Sequence, residues 1–355
     1  RGQYQRAVRA PNVAELFGGS ATGFPGAADP CSDRGPASTR TEALRQLCIA
    51  AGVPAANVFT RTVQPNSQIE ATFGGNPDLE EEKSDTYTAG VIIRPRFIPR
   101  LNVSVDYFNI EVDNVIGTRG GGLNSALQLC FLVAANLNDP ICQIFAGTRG
   151  PTGAISQGGQ ANPVLVSDNL ARLKTSGVDA QVDYSTPLPF SFMGRDDARL
   201  SFFFLGTWLD KYRSTAVAAF PERTLICEGS ICGNPLPEFR TSSRLTMSDG
   251  PATVSLRHRY MSEIEDPRIN NTFVLLERVP QERANFPNAR IDDIHYFDLT
   301  FGFDVNDNFT LTTGVNNLFD KKPEVLGDIQ EQANTFPGTF DVLGRDFFVS
   351  GRLRF

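Results

Sequence analysis

The sequence predicts an all-β chain: an antiparallel up-and-down transmembrane β-barrel, or the C-terminal part of one, with about ten strands, long extracellular loops and short periplasmic turns. Three observations predict it. Apolar and polar residues alternate over long stretches, the mark of a strand with one apolar and one wet face. The connections alternate long and short along the whole chain, as in outer-membrane barrels. The apolar face is aromatic, and the chain carries 27 Phe. No run of about 18 apolar residues exists to make a membrane helix. A mean hydropathy of -0.20 is compatible with a barrel, because only alternate residues meet lipid.

Taken in order, residues 1–10 read as a strand remnant in which Gln3 to Arg9 already alternate. The chain is therefore expected to be a piece whose N-terminal part lies elsewhere. A long loop to about residue 84 follows, rich in Gly, Ala and Pro, with a helical patch near 41–51. Strands are expected at 86–94 and 101–112, joined by a tight Pro95–Pro99 turn. Beyond Tyr107 the apolar parity passes to Phe108, Ile110 and Val112, which predicts a bulge. A second long loop spans 113–171, with Gly120-Gly121-Gly122, read as a flexible segment, and a helical patch near 124–135. Strands at 172–184 and 198–211 flank a Pro-rich turn at 187–195; in the second the alternation blurs into Phe202-Phe203-Phe204. A loop at 212–237 precedes strands at 238–247 and 251–262, separated by Ser248-Asp249-Gly250. After a long loop at 263–290 come strands at 291–303 and 309–316 around an Asp/Asn turn. The loop 320–345 leads to a final alternating run that reaches Phe355.

The formal charge of -7 and pI near 5.1 argue against nucleic acid as a partner, which calls for a basic face. Six cysteines fall in three local pairs inside predicted loops: Cys31 and Cys48, Cys130 and Cys142, Cys227 and Cys232. That placement suits disulfides in an oxidising compartment such as the periplasm; the sequence leaves their connectivity open. His258 and His295 have no metal-site spacing around them and read as interfacial side chains. Glu80-Glu81-Glu82 reads as a solvated loop edge. No catalytic arrangement, metal site or cofactor is expected, and the chain is not read as an enzyme.

By parity, Asp179, Asp183, Arg240, Arg244, Arg257, Arg259, Asp298, Arg352 and Arg354 share the wet face. In a membrane-spanning wall, charge is tolerated toward a wet or protein-filled interior. These residues either face a protein filling the lumen or form ordinary hydrated lining. Solute contacts are expected from the outer loops, with Trp208, Tyr212 and the loops 10–84 and 113–171 as candidates; rim aromatics also serve as lipid-interface anchors.

Four stretches carry a resemblance. They are Arg9-Ala10-Pro11-Asn12 with Glu15-Leu16-Phe17; Asn76-Pro77-Asp78-Leu79 with Glu82-Lys83-Ser84-Asp85-Thr86-Tyr87; Gly314-Val315-Asn316-Asn317-Leu318-Phe319-Asp320 with Pro323; and Gly344-Arg345 opening a last strand toward Phe355. In this order the chain resembles the C-terminal half of the barrel of a TonB-dependent outer-membrane receptor. The resemblance implies a 22-stranded barrel, of which residues 1–355 would be the C-terminal portion, with no plug domain in this chain. It implies a Gram-negative outer membrane as the location. It also implies uptake of a bulky scarce solute (siderophore, oligosaccharide or vitamin), with the bilayer, a plug, the TonB protein and the barrel-assembly machinery as partners. Phe355 resembles the family's assembly signal, or is an interface aromatic. The energy-coupling residues of the family match nothing here. A passive porin and a secreted soluble all-β binding domain are the alternatives.

Overall fold

The computed structural model describes residues 1–35, 37–194, 197–221, 223–266, 290–327 and 330–355. The predicted loop 263–290 lies almost wholly outside the described residues, as do Arg195 of the Pro-rich turn and positions 328 and 329 of the loop 320–345.

All ten predicted strands are present. They are β1 (Gly2–Arg9), β2 (Glu82–Ile93), β3 (Asn102–Asp113), β4 (Arg172–Pro187), β5 (Arg199–Thr215), β6 (Phe239–Asp249), β7 (Ala252–Met261), β8 (Ile294–Asn306), β9 (Phe309–Asn316) and β10 (Asp346–Leu353). They form one antiparallel sheet in strict chain order. Among the described residues β1 and β10 each pair on one side alone, so the sheet is open.

Period-two patterning gives the sheet its two faces. Residues directly opposite on neighbouring strands share a face, and Tyr184, Phe202, Leu245, Leu256, Leu299, Val315 and Phe347 form one continuous apolar row. The adjacent row on the other face is Ser185, Ser201, Thr246, Ser255, Thr300, Gly314 and Phe348. The run Phe202-Phe203-Phe204 resolves on this frame. Phe202 and Phe204 join the apolar face, while Phe203 stands on the polar face between Asp183 and Arg244.

Gly314 shows how closely the rows pack. A Cβ there would lie 2.5 Å from Phe348 Cζ and 2.8 Å from the Leu299 carbonyl oxygen, so the Phe348 ring occupies the space that the glycine leaves open. Gly314→Val is expected to overpack this spot and cost about 1–3 kcal/mol. A fall in the temperature at which the folded barrel band is lost on gel electrophoresis would check it.

The bulge expected beyond Tyr107 is not in that strand. β3 pairs without interruption to both β2 and β4. The parity change has another cause. Phe108, Ile110 and Val112 stay on one face throughout, and the opposite face turns from apolar to polar at Asn109 and to charged at Glu111 and Asp113. There Arg172 pairs with Glu111 at 2.9 Å and with Asp113 at 3.1 Å. β4 and β5 have 16 and 17 residues, more than the 9–11 that a strand needs to cross about 30 Å of hydrocarbon. The register does shift between β4 and β5 at Ser176/Gly177, where Ser176 Oγ donates to Asp210 at 2.9 Å.

At the short-turn end, Asp249 joins two adjacent turns. Its carboxylate accepts from Ser191 Oγ (2.7 Å), Phe192 N (2.5 Å) and Met193 N (3.0 Å). Asp249→Ala leaves those donors without this acceptor, and faster amide exchange at Phe192 and Met193 is the expected signature.

Candidate functional site

The long loops 10–81 and 114–171 fold together into a cap with its own core. A small sheet orders Ala21–Gly23, Ala71–Gly74, Val164–Asn169 and Ile116–Thr118. After a capping-box helix α1 (Val13–Phe17), the cap holds α2 (Glu42–Ala50) and α3 (Leu123–Gln128), the last prolonged by a π-helical turn Leu129–Ala134. These match the two predicted helical patches. Leu44, Val53, Leu127, Phe131 and Leu165 belong to one buried cluster drawn from both loops. The three expected cysteine pairs are bonded: Cys31–Cys48, Cys130–Cys142 and Cys227–Cys232.

Gly120-Gly121-Gly122 forms the turn into α3. All three have positive φ (64°, 74° and 94°), a region that glycine enters without steric cost. A Cβ on buried Gly120 would meet Ala126 Cβ and Ile141 Cδ1, both at 2.9 Å. Positive φ at all three and close packing at Gly120 and Gly121 account for glycine in this turn.

One ion pair crosses the cap. Arg149 NH1 donates to Asp29 Oδ2 at 2.7 Å and NH2 to Oδ1 at 3.1 Å. Both side chains are buried, 3% and 1% exposed. The guanidinium also lies 5.3 Å from the Phe131 ring centre. Between the cap and residues 216–220 lies a cavity of about 820 Å³ lined by Arg119, Asp139, Asn162, Asp168 and Phe220 among others. Arg119 Nε donates to Asp168 at 2.9 Å there.

The charged set of the polar face divides into three groups. Asp183, Phe203, Arg244, Arg257 and Asp298 form one row, and Asp179, Thr207 and Arg240 another. Asp179 accepts from Thr207 Oγ1 at 2.6 Å, and Gln181 donates to Asp183 at 2.7 Å. Arg259 forms the densest group. It binds Asp298 through two contacts of 3.0 Å and Asp341 through contacts of 3.0 and 2.6 Å. Its guanidinium lies 4.8 Å over buried Tyr296. Asp341 and Tyr296 were missed in the sequence. Asp341 sits in a loop 82 residues from Arg259, and no local pattern links them. Arg352 lies on β10 opposite Thr310. Arg354 and Phe355 lie past the strand, which ends at Leu353; Arg354 N donates to Asn308 O at 2.8 Å.

Trp208 lies on the apolar face in a row with Tyr107, Val178 and Phe239. Tyr212 falls on the opposite face, across from Thr175. The two histidines meet on the apolar face, with 2.9 Å between His258 Nε2 and His295 Nδ1. His258 stacks on Phe297 at 4.7 Å and His295 bonds Asp293 at 3.1 Å.

The four sequence motifs are two clamps. Arg9 bonds Glu15 (3.0 Å) and Glu82 (2.5 Å), while Asn12 and Glu15 cap α1 reciprocally. Asn76 N then donates to Glu15 O at 2.8 Å, joining the first motif to the second. Hydrogen bonds from Arg9, and next from Asn12, hold the Glu15 carboxyl below the usual carboxylate range. In the second clamp, Asn317 N donates to Asp298 Oδ1 at 2.9 Å, and Asp320 Oδ1 accepts from Arg345 N at 2.8 Å and pairs with Lys322 at 3.0 Å.

Asp320, held chiefly by the Arg345 amide and then by Lys322, has its carboxyl below its ordinary value near 3.8. A carboxyl with a depressed folded value stabilises fully above the unfolded value and loses that contribution as pH falls through the folded one. The expected result is that Asp320→Asn speeds amide exchange at Arg345 near pH 7, and that the difference from wild type fades as pH falls through the depressed folded value of Asp320.

Two solved structures show the same fold along the whole chain. The ferric enterobactin receptor of Pseudomonas aeruginosa, as a point mutant, aligns at a TM-score of 0.52 and 14% identity, with 100% of this chain and 38% of that one covered. The siderophore receptor PirA of Acinetobacter baumannii aligns at 0.51 and 14%, covering 100% and 38%. The chain thus spans about 38% of the length of these structures. No curated protein matches it in sequence. Residues 1–318 match the family model described as TonB dependent receptor-like, beta-barrel, and the chain belongs to that family.

Proposed function

We propose that this chain is the C-terminal barrel wall of an outer-membrane receptor that imports a bulky, scarce solute with energy delivered through TonB. One observation carries the reading. A sheet with one apolar and one charged face is topped, at its long-loop end, by a disulfide-stapled cap beside a cavity of about 820 Å³. The apolar rows face the lipid of a Gram-negative outer membrane, and the charged rows face the lumen and a plug domain within it. Trp208 and its aromatic row anchor the wall at the interface. Phe355 is read by the barrel-assembly machinery. The solute binds at the cap, where the cavity lies within the size range of ligand pockets. A ferric siderophore is the first class to test, since both matched structures are siderophore receptors.

The experiment is uptake in a strain lacking the gene. Labelled ferric catecholate siderophore, maltooligosaccharide and cobalamin are supplied separately at nanomolar concentration. One class should accumulate in the parent and fail to do so both in the deletion strain and in a strain lacking TonB. A solute that depends on this gene and enters equally without TonB would replace the reading with that of a passive porin.

A further inference from the structure

The short-turn end carries an exposed surface of basic and aromatic side chains. The turn between β2 and β3 reads Arg94-Pro95-Arg96-Phe97-Ile98-Pro99-Arg100. Two successive turns fold it, with Ile98 N donating to Pro95 O at 3.3 Å and Leu101 N to Ile98 O at 3.4 Å. Its three arginines are exposed, and among the described residues none of them pairs with a carboxylate. Phe97 is 85% exposed. The turn between β4 and β5 adds Phe190, Phe192 and Met193, all exposed. Phe190 and Phe192 meet edge to face with ring centres 5.2 Å apart, and the Asp249 carboxylate fixes the backbone of Phe192 and Met193. β3 pairs with β4, so the two turns are neighbours along the rim. The apolar face runs directly into them: Ile93, Val103, Val182 and Phe204 lie opposite one another in its row beside the first turn.

We propose that these two turns form a binding site for an anionic phospholipid of the inner leaflet, with Arg94, Arg96 and Arg100 on its phosphodiester and Phe97 and Phe192 at the boundary between headgroups and acyl chains. This rests on the reading of the chain as an outer-membrane wall whose short turns lie on the periplasmic side. Three features select a lipid as the occupant. The apolar patch is continuous with the face that reading gives to lipid. Short turns stay at the level of the headgroups instead of reaching into the periplasm. Guanidinium groups bind phosphate oxygens through paired, charge-assisted hydrogen bonds, and apolar side chains beside basic ones hold a membrane surface both by burial and by attraction to anionic lipid. A zwitterionic headgroup carries its own ammonium beside the phosphate, so it answers an unpaired basic cluster less well than an anionic one.

The test uses the receptor purified from its own outer membrane and placed in nanodiscs of equimolar phosphatidylglycerol and phosphatidylethanolamine. Native mass spectrometry counts which phospholipid stays bound. Phosphatidylglycerol should predominate on the wild type. Arg96→Gln should cut that preference about fivefold, the scale of one basic residue at an anionic surface. The triple variant Arg94→Gln, Arg96→Gln and Arg100→Gln should abolish it. Added glycerophosphoglycerol, the same headgroup without acyl chains, should not displace the bound lipid. Equal retention of the two phospholipids by the wild type, or an unchanged preference in the triple variant, overturns the proposal. Displacement by the free headgroup overturns it as well, since the site would then take a soluble phosphodiester. A separate variant, Asp307→Cys in the short turn between β8 and β9, reports on the underlying reading. A membrane-impermeant maleimide should label it only after the outer membrane is permeabilised. Labelling in intact cells removes the periplasmic placement of the turns and the lipid site with it.

Discussion

Arg149→Met destabilises the cap by about 3–5 kcal/mol, because it leaves a buried carboxylate without its cation. Asp29 is buried, and Arg149 supplies two of its contacts. Among the described residues, what remains to the carboxylate is the Cys31 amide, which donates to Asp29 Oδ1 at 2.9 Å. Methionine fills much of the same volume but removes the guanidinium that lies 5.3 Å from the Phe131 ring centre, so the loss reports the ion pair and the ring contact together. Hydrogen exchange in α2 and α3 is the measurement, with β6 to β8 as internal reference. Faster exchange confined to the cap is expected. The double variant Asp29→Asn with Arg149→Met should recover part of the loss, since the uncompensated charge is gone. Unchanged exchange in the single variant would mean that the pair contributes nothing to holding the cap.

The second large effect is loss of a disulfide. Cys31→Ala with Cys48→Ala opens a closure of 17 residues and is expected to cost about 3 kcal/mol in the chain-entropy account. The same change at Cys227 and Cys232, only 5 residues apart, is expected to cost about 2 kcal/mol on that scale. Both sulfurs of the first pair are buried in the cap core, so lost packing adds to its cost. Denaturant titration in detergent, read by proteolysis within residues 10–81, gives the ranking. Equal effects from the two pairs would show that native-state strain, and not loop length, decides.

The wall was legible in the sequence because each of its strands declares itself by alternation. Phe297, Leu299, Phe301 and Phe303 needed no partner to be read as one face. The bulge beyond Tyr107 was misread because alternation reports the surroundings as well as the backbone. Toward the long-loop end of β3, Asn109 and Glu111 replace apolar residues without any change of register. The cap reads from the sequence as two separate long loops, each with a helical patch, because what holds the two together is remote in the chain. Asp29 and Arg149 are 120 residues apart, and α2 by itself buries only Leu44 and Cys48. Among the site residues, Arg257, Arg259 and Asp298 followed from parity. Asp341 did not, since it lies in an irregular loop whose path is set by Phe336 and Phe340 in the small core around Tyr296. The four motifs were visible as separate runs, but their pairing into two clamps was not.

The strict chain order of the ten strands sets a timetable for assembly. Each strand of the wall meets its predecessor as soon as it arrives, so the sheet can zip up hairpin by hairpin with small entropic penalties for closure at the short-turn end. The cap cannot follow that schedule. Its strand Ala71–Gly74 waits for Val164–Asn169, and Asp29 waits for Arg149. Both second partners precede β4, so cap closure becomes possible only once the segment leading into β4 is in place. Contacts of such long sequence separation form slowly. The two halves of the cap should therefore stay open and protease-sensitive after β1 to β3 have paired, and then close together in one late step.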